Sequence, residues 1–246
     1  MISKKIKPKF IKKNNPRVGL IVLATDVMIE KDFLKVFNEI PADLFINRIT
    51  NYNPVTADNL KKMIENITSV TANILPGEEV DCVVYGCTSG TIVSGYDNIK
   101  KKINLAKPNA SVTAPSTAAL NALKKKNIKK ISIVTPYIKS VNDDVVNFFK
   151  DNNFEVTSNT YFDIESDKDI GRVDQDKLFE ILCNIDHKGA EALFVSCTSL
   201  PVLNIIERLE KKLSITVLSS NQALIWETLE RIEKNNSIKG YGSLFN

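Results

Sequence analysis

The chain has 246 residues, of which 43% are hydrophobic and 25% are charged, and this average composition excludes a disordered or fibrous protein. Its formal net charge of +4 comes mostly from lysine, and arginine is scarce. The lysine clusters at 100–102 and 124–126 have no interleaved aromatic residues. They predict solvated helix faces, and nucleic acid is not expected as a partner.

The N-terminal segment 1–16 is basic, is interrupted by Pro8 and has no apolar stretch of signal-peptide length. We predict that it is a basic leader. No apolar run in the chain approaches the ~20 residues of a membrane span, so a cytoplasmic protein that does not bind a membrane is expected. In that compartment the four cysteines are expected to be reduced, and each needs its own explanation.

Short β-branched runs alternate with longer helical patterns along the chain, which is typical of parallel βαβ units. The predicted strands, in chain order, are 18–24, 43–49, 81–85, 111–113, 130–135, 154–161, 192–196 and 215–218. The best predicted helices between them are 57–74, 115–125, 141–151, 175–185, 200–212 and 221–234. An α/β layered fold follows from this alternation.

The order of sequence motifs repeats. The segment VDCVVYGCTSGTIVSG, which carries Cys87, is echoed 110 positions later by AEALFVSCTSLPVLNI, which carries Cys197. RVGLIVLAT is likewise echoed by KKISIVTPY, and SVTAPSTAALNAL by SITVLSSNQALIWETL, at similar offsets. These matches predict two pseudosymmetric, flavodoxin-like parallel-sheet lobes with the active site in the cleft between them. We expect 17–124 together with 221–246 to form the first lobe, and 125–220 the second.

Both Cys-Thr-Ser motifs lie where a predicted strand ends and a helix begins, the place where open parallel sheets bind ligands. The helix dipole and backbone N–H groups are expected to lower the pKa of a thiol there, so Cys87 and Cys197 are the predicted catalytic residues. Cys82, inside a strand, and Cys183, inside a helix, are predicted to be structural. The N–H groups would hold a substrate carboxylate together with the hydroxyls of Thr88, Ser89, Thr198 and Ser199.

The motifs YGCTSGT and VSCTS, the opening GLIVLATD, the segment VTPY and the late SSNQALIW together resemble the aspartate/glutamate racemase superfamily. They are most similar to the branch that contains maleate cis-trans isomerase, arylmalonate decarboxylase and the racemase-like protein of ectoine utilisation, over nearly the whole chain from about Arg17. The resemblance implies a homodimer in which Cys87 and Cys197 are catalytic. It also implies that the substrate carboxylate is bound by Thr88, Ser89 and Tyr137.

This chain has aspartates at two positions where the resemblance to maleate isomerases implies asparagines. Asp26 lies near the end of the first strand, as in the ectoine-associated proteins, and Asp167 stands about where the second asparagine is expected. An aspartate only accepts hydrogen bonds and would repel a second carboxylate, so Asp26 is predicted to bind an amino or acylamino group of the substrate. Helix N-capping is the alternative for Asp26.

The leading hypothesis is a racemase or epimerase of a small amino- or acylamino-carboxylate, in which one thiolate removes the α-proton and the opposite thiol delivers a proton to the other face. The alternatives are a maleate-type cis-trans isomerase that works through a covalent cysteine adduct, and an arylmalonate-type decarboxylase. Resemblance places glycine at the position of Cys87 in the decarboxylase, which disfavours plain decarboxylation. A ligand-binding protein and a thiol redox protein stay open. No cofactor or metal is expected, because His187 is the single histidine and no nucleotide-binding motif is present.

Overall fold

Strands and helices alternate along the chain. Residues 3–10, 15–234 and 237–246, which the computed structural model describes, contain eight strands and eleven α-helices. The strands are β1 Arg17–Leu23, β2 Asp43–Ile49, β3 Cys82–Gly86, β4 Ser111–Thr113, β5 Lys130–Thr135, β6 Glu155–Tyr161, β7 Ala192–Val195 and β8 Thr216–Ser219. The helices are α1 Ile29–Phe37, α2 Ala57–Ile64, α3 Ile67–Ala72, α4 Thr88–Ser94, α5 Tyr96–Asn104, α6 Pro115–Lys125, α7 Lys139–Asp151, α8 Asp167–Ile170, α9 Gln175–Asn184, α10 Ile206–Leu213 and α11 Ser220–Arg231.

The strands form two parallel four-stranded sheets with the same internal order, β2-β1-β3-β4 and β6-β5-β7-β8. In the first sheet β3 pairs with β1, and in the second β7 pairs with β5 in the same way. The predicted α/β fold with two repeated parallel sheets is therefore confirmed. Each Cys-Thr-Ser segment follows an inner strand of its sheet.

The strand β1 is covered on both faces. Leu20 and Val22 belong to a core cluster that also contains residues of α6 and α11, whereas Ile21 and Leu23 pack on the opposite face against residues of α2 and α3. A parallel strand without a solvent-facing side is an almost continuous run of apolar residues, which is why it is recognisable in the sequence. The strand is therefore fixed between two packed layers of side chains.

The predicted helix 57–74 is two helices in the structure. The helix α2 ends at Ile64 and α3 begins at Ile67. Between them the N–H groups of Glu65 and Asn66 bond to carbonyls three residues earlier, at 3.2 and 3.4 Å, which tightens the turn and ends α2. The single predicted helix was wrong because Ile64 and Ile67, on either side of the break, are both buried. The helical spacing of apolar residues therefore continues across the break and does not reveal it.

The predicted helix 200–212 is shorter than expected. Residues 198–200 form a turn and a bend, Pro201 and Val202 have no regular secondary structure, and a 3₁₀ turn at Leu203–Ile205 precedes α10. Leu200 directly precedes the proline, and this position disfavours helical backbone. The prediction that Cys197 lies at a helix N-terminus was therefore wrong.

The helix α11 follows the second sheet in the chain but packs against α6. Glu227 of α11 accepts hydrogen bonds from the hydroxyl of Thr113, at the end of β4, and from Nδ2 of Asn121, which lies 2.6 Å away. Lys125 forms an ion pair with Glu230 at 3.2 Å. These contacts join α11 to the first half of the chain, while the lobe boundaries themselves stay a prediction.

The predicted basic leader, 1–16, is described only in part. Residues 3–10 are exposed and have no regular secondary structure, and residues 1–2 and 11–14 lie outside the described residues, as do 235–236 near the other end. No helix in the described part of the chain is long and apolar enough to cross a bilayer.

Candidate active site

The two Cys-Thr-Ser segments meet at one cavity beyond the carboxyl ends of the strands. About 390 Å³ of space that no atom occupies, part of it open to solvent, lies between its walls. The loops that follow β3, β5 and β7 all contribute to it, so both halves of the chain form its wall. Six of the predicted site residues line this cavity: Cys87, Thr88, Ser89, Tyr137, Cys197 and Thr198.

The first thiol is held by the beginning of α4. Cys87 is the N-cap residue of this helix, and its Sγ accepts a hydrogen bond from the N–H of Gly90 at 3.3 Å. The Oγ of Ser89 lies 3.8 Å from the same sulfur. A side chain at position 90 would not fit, since a Cβ there would lie 2.9 Å from the sulfur and 2.7 Å from the hydroxyl of Tyr85. Glycine therefore permits the close approach of the helix to the thiol.

The second thiol lies on an unusual backbone. Cys197 has a φ of +108°, a region that side-chain-bearing residues rarely occupy and that is costly unless surrounding contacts maintain it. Its N–H donates to the Oγ of Ser220 at 3.0 Å, and its Sγ accepts from the N–H of Ser199 at 3.4 Å. The segment is therefore maintained by a side chain of α11 and not by a helix of its own.

Ser220 connects the two cysteine segments. Its Oγ accepts the N–H of Cys197 and also the hydroxyl of Thr88, at 2.9 Å. A second link joins the segments directly, because the hydroxyl of Thr198 donates to the carbonyl of Gly86 at 3.4 Å. Both thiols thus have a fixed relative position although they are 110 residues apart in the chain.

Burial raises the pKa of both thiols, so the prediction that their pKa values are lowered was wrong. The pKa of Cys87 is raised to about 12, mainly by burial, which outweighs the opposing hydrogen bonds from Gly90 and Ser89. The pKa of Cys197 is raised well above its usual value, again mainly by burial and further by the charge of Asp167. Both thiols are therefore protonated at neutral pH, and one of them must lose its proton before it can react.

Each thiol has a buried tyrosine beside it. Burial raises the pKa of both Tyr85 and Tyr137 well above the usual value, so both phenols are protonated and their hydroxyls can donate. The hydroxyl of Tyr85 lowers the pKa of Cys87, and that of Tyr137 lowers the pKa of Cys197. The Tyr137 side chain lines the cavity, whereas Tyr85 lies in β3 beneath it.

The other two predicted substrate-binding residues, Asp26 and Ser199, do not line the cavity. Asp26 is fully buried, and its Oδ1 accepts the N–H groups of Met28 and Ile29 at 2.7 and 3.0 Å at the start of α1. The N-cap residue of α1 is Met28, so Asp26 binds backbone N–H groups at the start of this helix without being its N-cap residue. Burial raises its pKa, and the nearby charge of Asp167 adds to that effect.

Several polar residues of the cavity were not predicted as substrate-binding residues, namely Asn51, Tyr52, Asn59 and Asp167. The first two follow β2 directly, and the rule that polar residues after a parallel strand face the ligand would have found them. The Nδ2 of Asn51 donates to the hydroxyl of Thr25 at 2.7 Å. That hydroxyl donates in turn to Oδ2 of Asp167 at 2.6 Å, so the loops after β1 and β2 hold this carboxylate in place. Within the described ranges, no three His, Cys, Asp or Glu side chains cluster as metal ligands.

Two repeats of a parallel α/β unit that each contribute one thiol to a shared cavity define an enzyme with the aspartate/glutamate racemase-like fold. A family model described as arylmalonate decarboxylase matches residues 18–245. The chain therefore belongs to the arylmalonate decarboxylase family.

Individual relatives of the chain include both isomerases and a decarboxylase. A maleate isomerase of Geobacillus stearothermophilus is 26% identical over 242 residues, which cover 93% of this chain and 96% of the relative. An arylmalonate decarboxylase of Bordetella bronchiseptica is 24% identical over 241 residues, covering 94% and 97%. The fold is similar to that of a Nocardia farcinica maleate cis-trans isomerase with a covalently bound succinylcysteine intermediate, at 18% identity and a TM-score of 0.86 over 94% of this chain and 98% of that one.

Proposed function

We propose that this enzyme is a cofactor-independent cis-trans isomerase that acts on a carbon–carbon double bond next to a small carboxylate, through a covalent adduct of Cys87. The observation that carries the proposal is the presence of two thiols in one small cavity, each with a backbone N–H directed at its sulfur. The maleate isomerases among the relatives support it, as does the succinylcysteine in the Nocardia farcinica enzyme. We therefore prefer this function to the racemase that leads the sequence-based hypotheses.

Cys87 is the better nucleophile of the pair. After burial, the charge of Asp167 is the largest cause that raises the pKa of Cys197, whereas for Cys87 the next causes are the hydrogen bonds from Gly90 and Ser89, which lower its pKa. When the pair has lost one proton, the remaining proton therefore belongs on Cys197. This form of the site contains a Cys87 thiolate and a Cys197 thiol, a nucleophile and an acid.

The reaction then needs only the two sulfurs and their one shared proton. The Cys87 thiolate adds to one carbon of the double bond, and the electron pair of the π bond moves to the other carbon and its carboxylate. Cys197 donates its proton to that carbon, which leaves a single C–C bond about which the adduct rotates. This rotation brings the hydrogen that the carbon carried from the start to the Cys197 thiolate, which removes it as a proton. The double bond then reforms in the trans geometry, and the Cys87 thiolate departs. Atoms and charge are restored at the end of the cycle.

The start of α4 stabilises the charge that develops on the substrate carboxylate. The first N–H groups of a helix have no partner within the helix, and those of Thr88 and Ser89 lie beside the nucleophile. The hydroxyl of Tyr137 lies at the cavity wall and is protonated, so it is a further donor. Donors that are already oriented stabilise an enediolate without reorganisation of solvent.

The proposal is tested with the cis-unsaturated C4 acids maleate and maleamate and with proton NMR to detect the trans product. We expect conversion by the wild-type enzyme and by Cys183→Ser, because Cys183 lies on α9 away from the cavity, and no conversion by Cys87→Ser. The absence of a trans product from every cis substrate with the wild-type enzyme would contradict the proposal.

A racemase or epimerase is the second candidate, and the similar environment of the two sulfurs favours it. Each accepts one backbone N–H, at 3.3 Å for Cys87 and 3.4 Å for Cys197, and this hydrogen bond would stabilise either sulfur as the thiolate base. Deuterium incorporation at the α-carbon of amino or acylamino acids in D₂O, lost in both Cys87→Ala and Cys197→Ala, is the result that would replace the isomerase proposal. Carbon dioxide release from an arylmalonate would instead indicate the decarboxylase.

Two further expectations accompany this proposal. The enzyme is expected to work in the cytoplasm and to form a homodimer, as the sequence resemblance implies. Light scattering coupled to gel filtration measures the molar mass, and a monomer would contradict the second expectation.

A further inference from the structure

Among the described residues, the wall of the cavity carries one acidic side chain and no basic one. Asp167 is the only Asp, Glu, Lys, Arg or His among the described residues that line it. The other polar groups of the wall are the two thiols together with hydroxyl and amide side chains, which carry no charge in the resting site. A substrate that enters therefore meets one negative charge and no positive one.

Asp167 is held in place from three sides. Its Oδ2 accepts the hydroxyl of Thr25 at 2.6 Å and its Oδ1 accepts the hydroxyl of Ser199 at 2.9 Å, while its N–H donates to Oδ1 of Asn53 at 3.3 Å. Only 5% of the residue is exposed, so it cannot swing into solvent when a ligand binds. Each carboxylate oxygen has two lone pairs, and the hydroxyls occupy one of each. The carboxylate can therefore accept further hydrogen bonds from a ligand in the cavity.

A dicarboxylate does not match this wall. One of its carboxylates fits the donors at the start of α4, but the other must share a buried space with Asp167 and with no cation. Two like charges a few ångströms apart repel strongly where water is excluded, because the effective dielectric constant is low. A ligand whose second end carries N–H donors gains hydrogen bonds from the same carboxylate.

We propose that Asp167 selects a substrate with one carboxylate and, at its other end, a nitrogen group that donates hydrogen bonds, either a carboxamide or an ammonium. This inference rests on the proposed isomerase function and specifies its substrate class. A Cys87 adduct would form between the two polar ends, with the carboxylate near Ser89 and the nitrogen near Asp167. The enzyme would accordingly discriminate against maleate.

The discrimination is measured with three cis C4 acids that differ only at the second end: maleate, maleamate and cis-4-aminobut-2-enoate. We expect the wild-type kcat/KM for at least one of the two nitrogen compounds to exceed that for maleate by about 100-fold or more. Which of them is faster identifies the group as carboxamide or ammonium. A wild-type enzyme that isomerises maleate as fast as both of them would overturn the inference.

The variant Asp167→Asn tests whether this residue causes the preference for a nitrogen compound over maleate. Removal of the charge also makes both thiols more acidic and so changes their general reactivity, but this effect cancels in the ratio of kcat/KM between maleate and a nitrogen compound. We expect the ratio to shift towards maleate by at least about tenfold. The matched control is Asp169→Asn, which removes the same charge from the exposed side of α8, where Asp169 contacts Arg172 at 3.3 Å. An unchanged ratio in Asp167→Asn, or an equal shift in the control, would overturn the inference.

Binding without turnover separates this inference from the proposed function. The saturated analogues succinate, succinamate and 4-aminobutanoate have no double bond, and a ligand that binds the folded enzyme raises its Tm. We expect wild-type enzyme to be stabilised by succinamate or 4-aminobutanoate and not by succinate at equal concentration. If this pattern holds while no cis acid is isomerised, the isomerase proposal fails and the specificity stands. If succinate stabilises the enzyme best, the specificity fails whether or not isomerisation occurs.

Discussion

The two Cys-Thr-Ser segments have the same three residues but different backbones. Cys87 leads directly into a helix, and the N–H of Gly90 in that helix holds its sulfur. Cys197 has a positive φ and leads into a stretch that includes Pro201, and Ser220 from α11 holds its N–H. The residues that follow the motif, Gly-Thr in one half and Leu-Pro in the other, decide whether a helix can begin. A repeated motif therefore does not guarantee a repeated local structure.

The difference in backbone leads to a difference in support. The first segment is stabilised by its own helix, whereas the second depends on α11. Besides the bond from Cys197 to Ser220, the Nδ2 of Asn221 donates both to the carbonyl of Thr198 and to Oδ2 of Asp32, each at 2.8 Å. Changes in α11 and its partners are therefore expected to affect the second thiol more than the first.

The largest effect is expected from the nucleophile. Cys87→Ser replaces a thiol with a hydroxyl, which does not ionise at neutral pH, and we expect kcat/KM for isomerisation to fall at least about 1,000-fold. Steady-state kinetics with the preferred cis acid measures this loss. Cys183→Ser is the control and is expected to retain full activity. Substantial turnover by Cys87→Ser would show that the two segments do not have the unequal roles assigned to them.

A second effect concerns the pH dependence of stability. Burial raises the pKa of Asp32 from 3.8 to about 7. The folded protein therefore keeps a proton that the unfolded chain releases between pH about 4 and about 7, so the free energy of unfolding falls as the pH rises through this window, by up to about 4 kcal/mol. Asp32→Asn has no such proton, and we expect its urea midpoint to be much less dependent on pH in this window. If the urea midpoints of the wild type and of Asp32→Asn changed in parallel from pH 4 to 8, the raised pKa of Asp32 would not explain the pH dependence.

The bond to Ser220 is expected to have a smaller effect. Ser220→Ala leaves the N–H of Cys197 and the hydroxyl of Thr88 without their buried acceptor, which costs about 1–3 kcal/mol of stability. We also expect kcat to fall about tenfold, because the positive φ of Cys197 is no longer maintained. Ser69→Ala removes an exposed serine hydroxyl from α3 and is the control. Equal behaviour of the two variants would mean that Ser220 does not position the second thiol.

The smallest effect is expected at Tyr85. Its hydroxyl lowers the pKa of Cys87, so Tyr85→Phe should raise that pKa and slow alkylation of Cys87 by iodoacetamide. A loss of about fivefold corresponds to ~1 kcal/mol, the usual contribution of one hydrogen bond. The rate is followed by mass spectrometry of the Cys87 peptide, with the Cys183 peptide as the internal reference. An unchanged alkylation rate at Cys87 would show that the Tyr85 hydroxyl does not lower the pKa of this thiol.

Much of the fold could be predicted from the sequence, since buried parallel strands are visible as short apolar runs. Strand 130–135 was located to the residue for this reason. The backbone at Cys197 was missed, because a positive φ there depends on contacts with α11, which lies far away in the chain. The raised pKa values of the thiols were missed for a similar reason: a motif shows the favourable N–H groups nearby, whereas burial results from the packing of both lobes. Asp26 was predicted to bind the substrate because it follows β1, but its carboxylate accepts backbone N–H groups at the start of α1.

The most direct test of the unequal roles of the two thiols is the mass of Cys197→Ser after incubation with the preferred cis acid. In this variant water supplies the proton that completes the adduct, and without a thiolate at position 197 no proton is removed again, so the adduct should accumulate. We predict a mass increase of one substrate molecule per chain, located by peptide mapping on Cys87 and absent from Cys82 and Cys183. An unmodified protein, or an adduct on any other cysteine, would contradict the account.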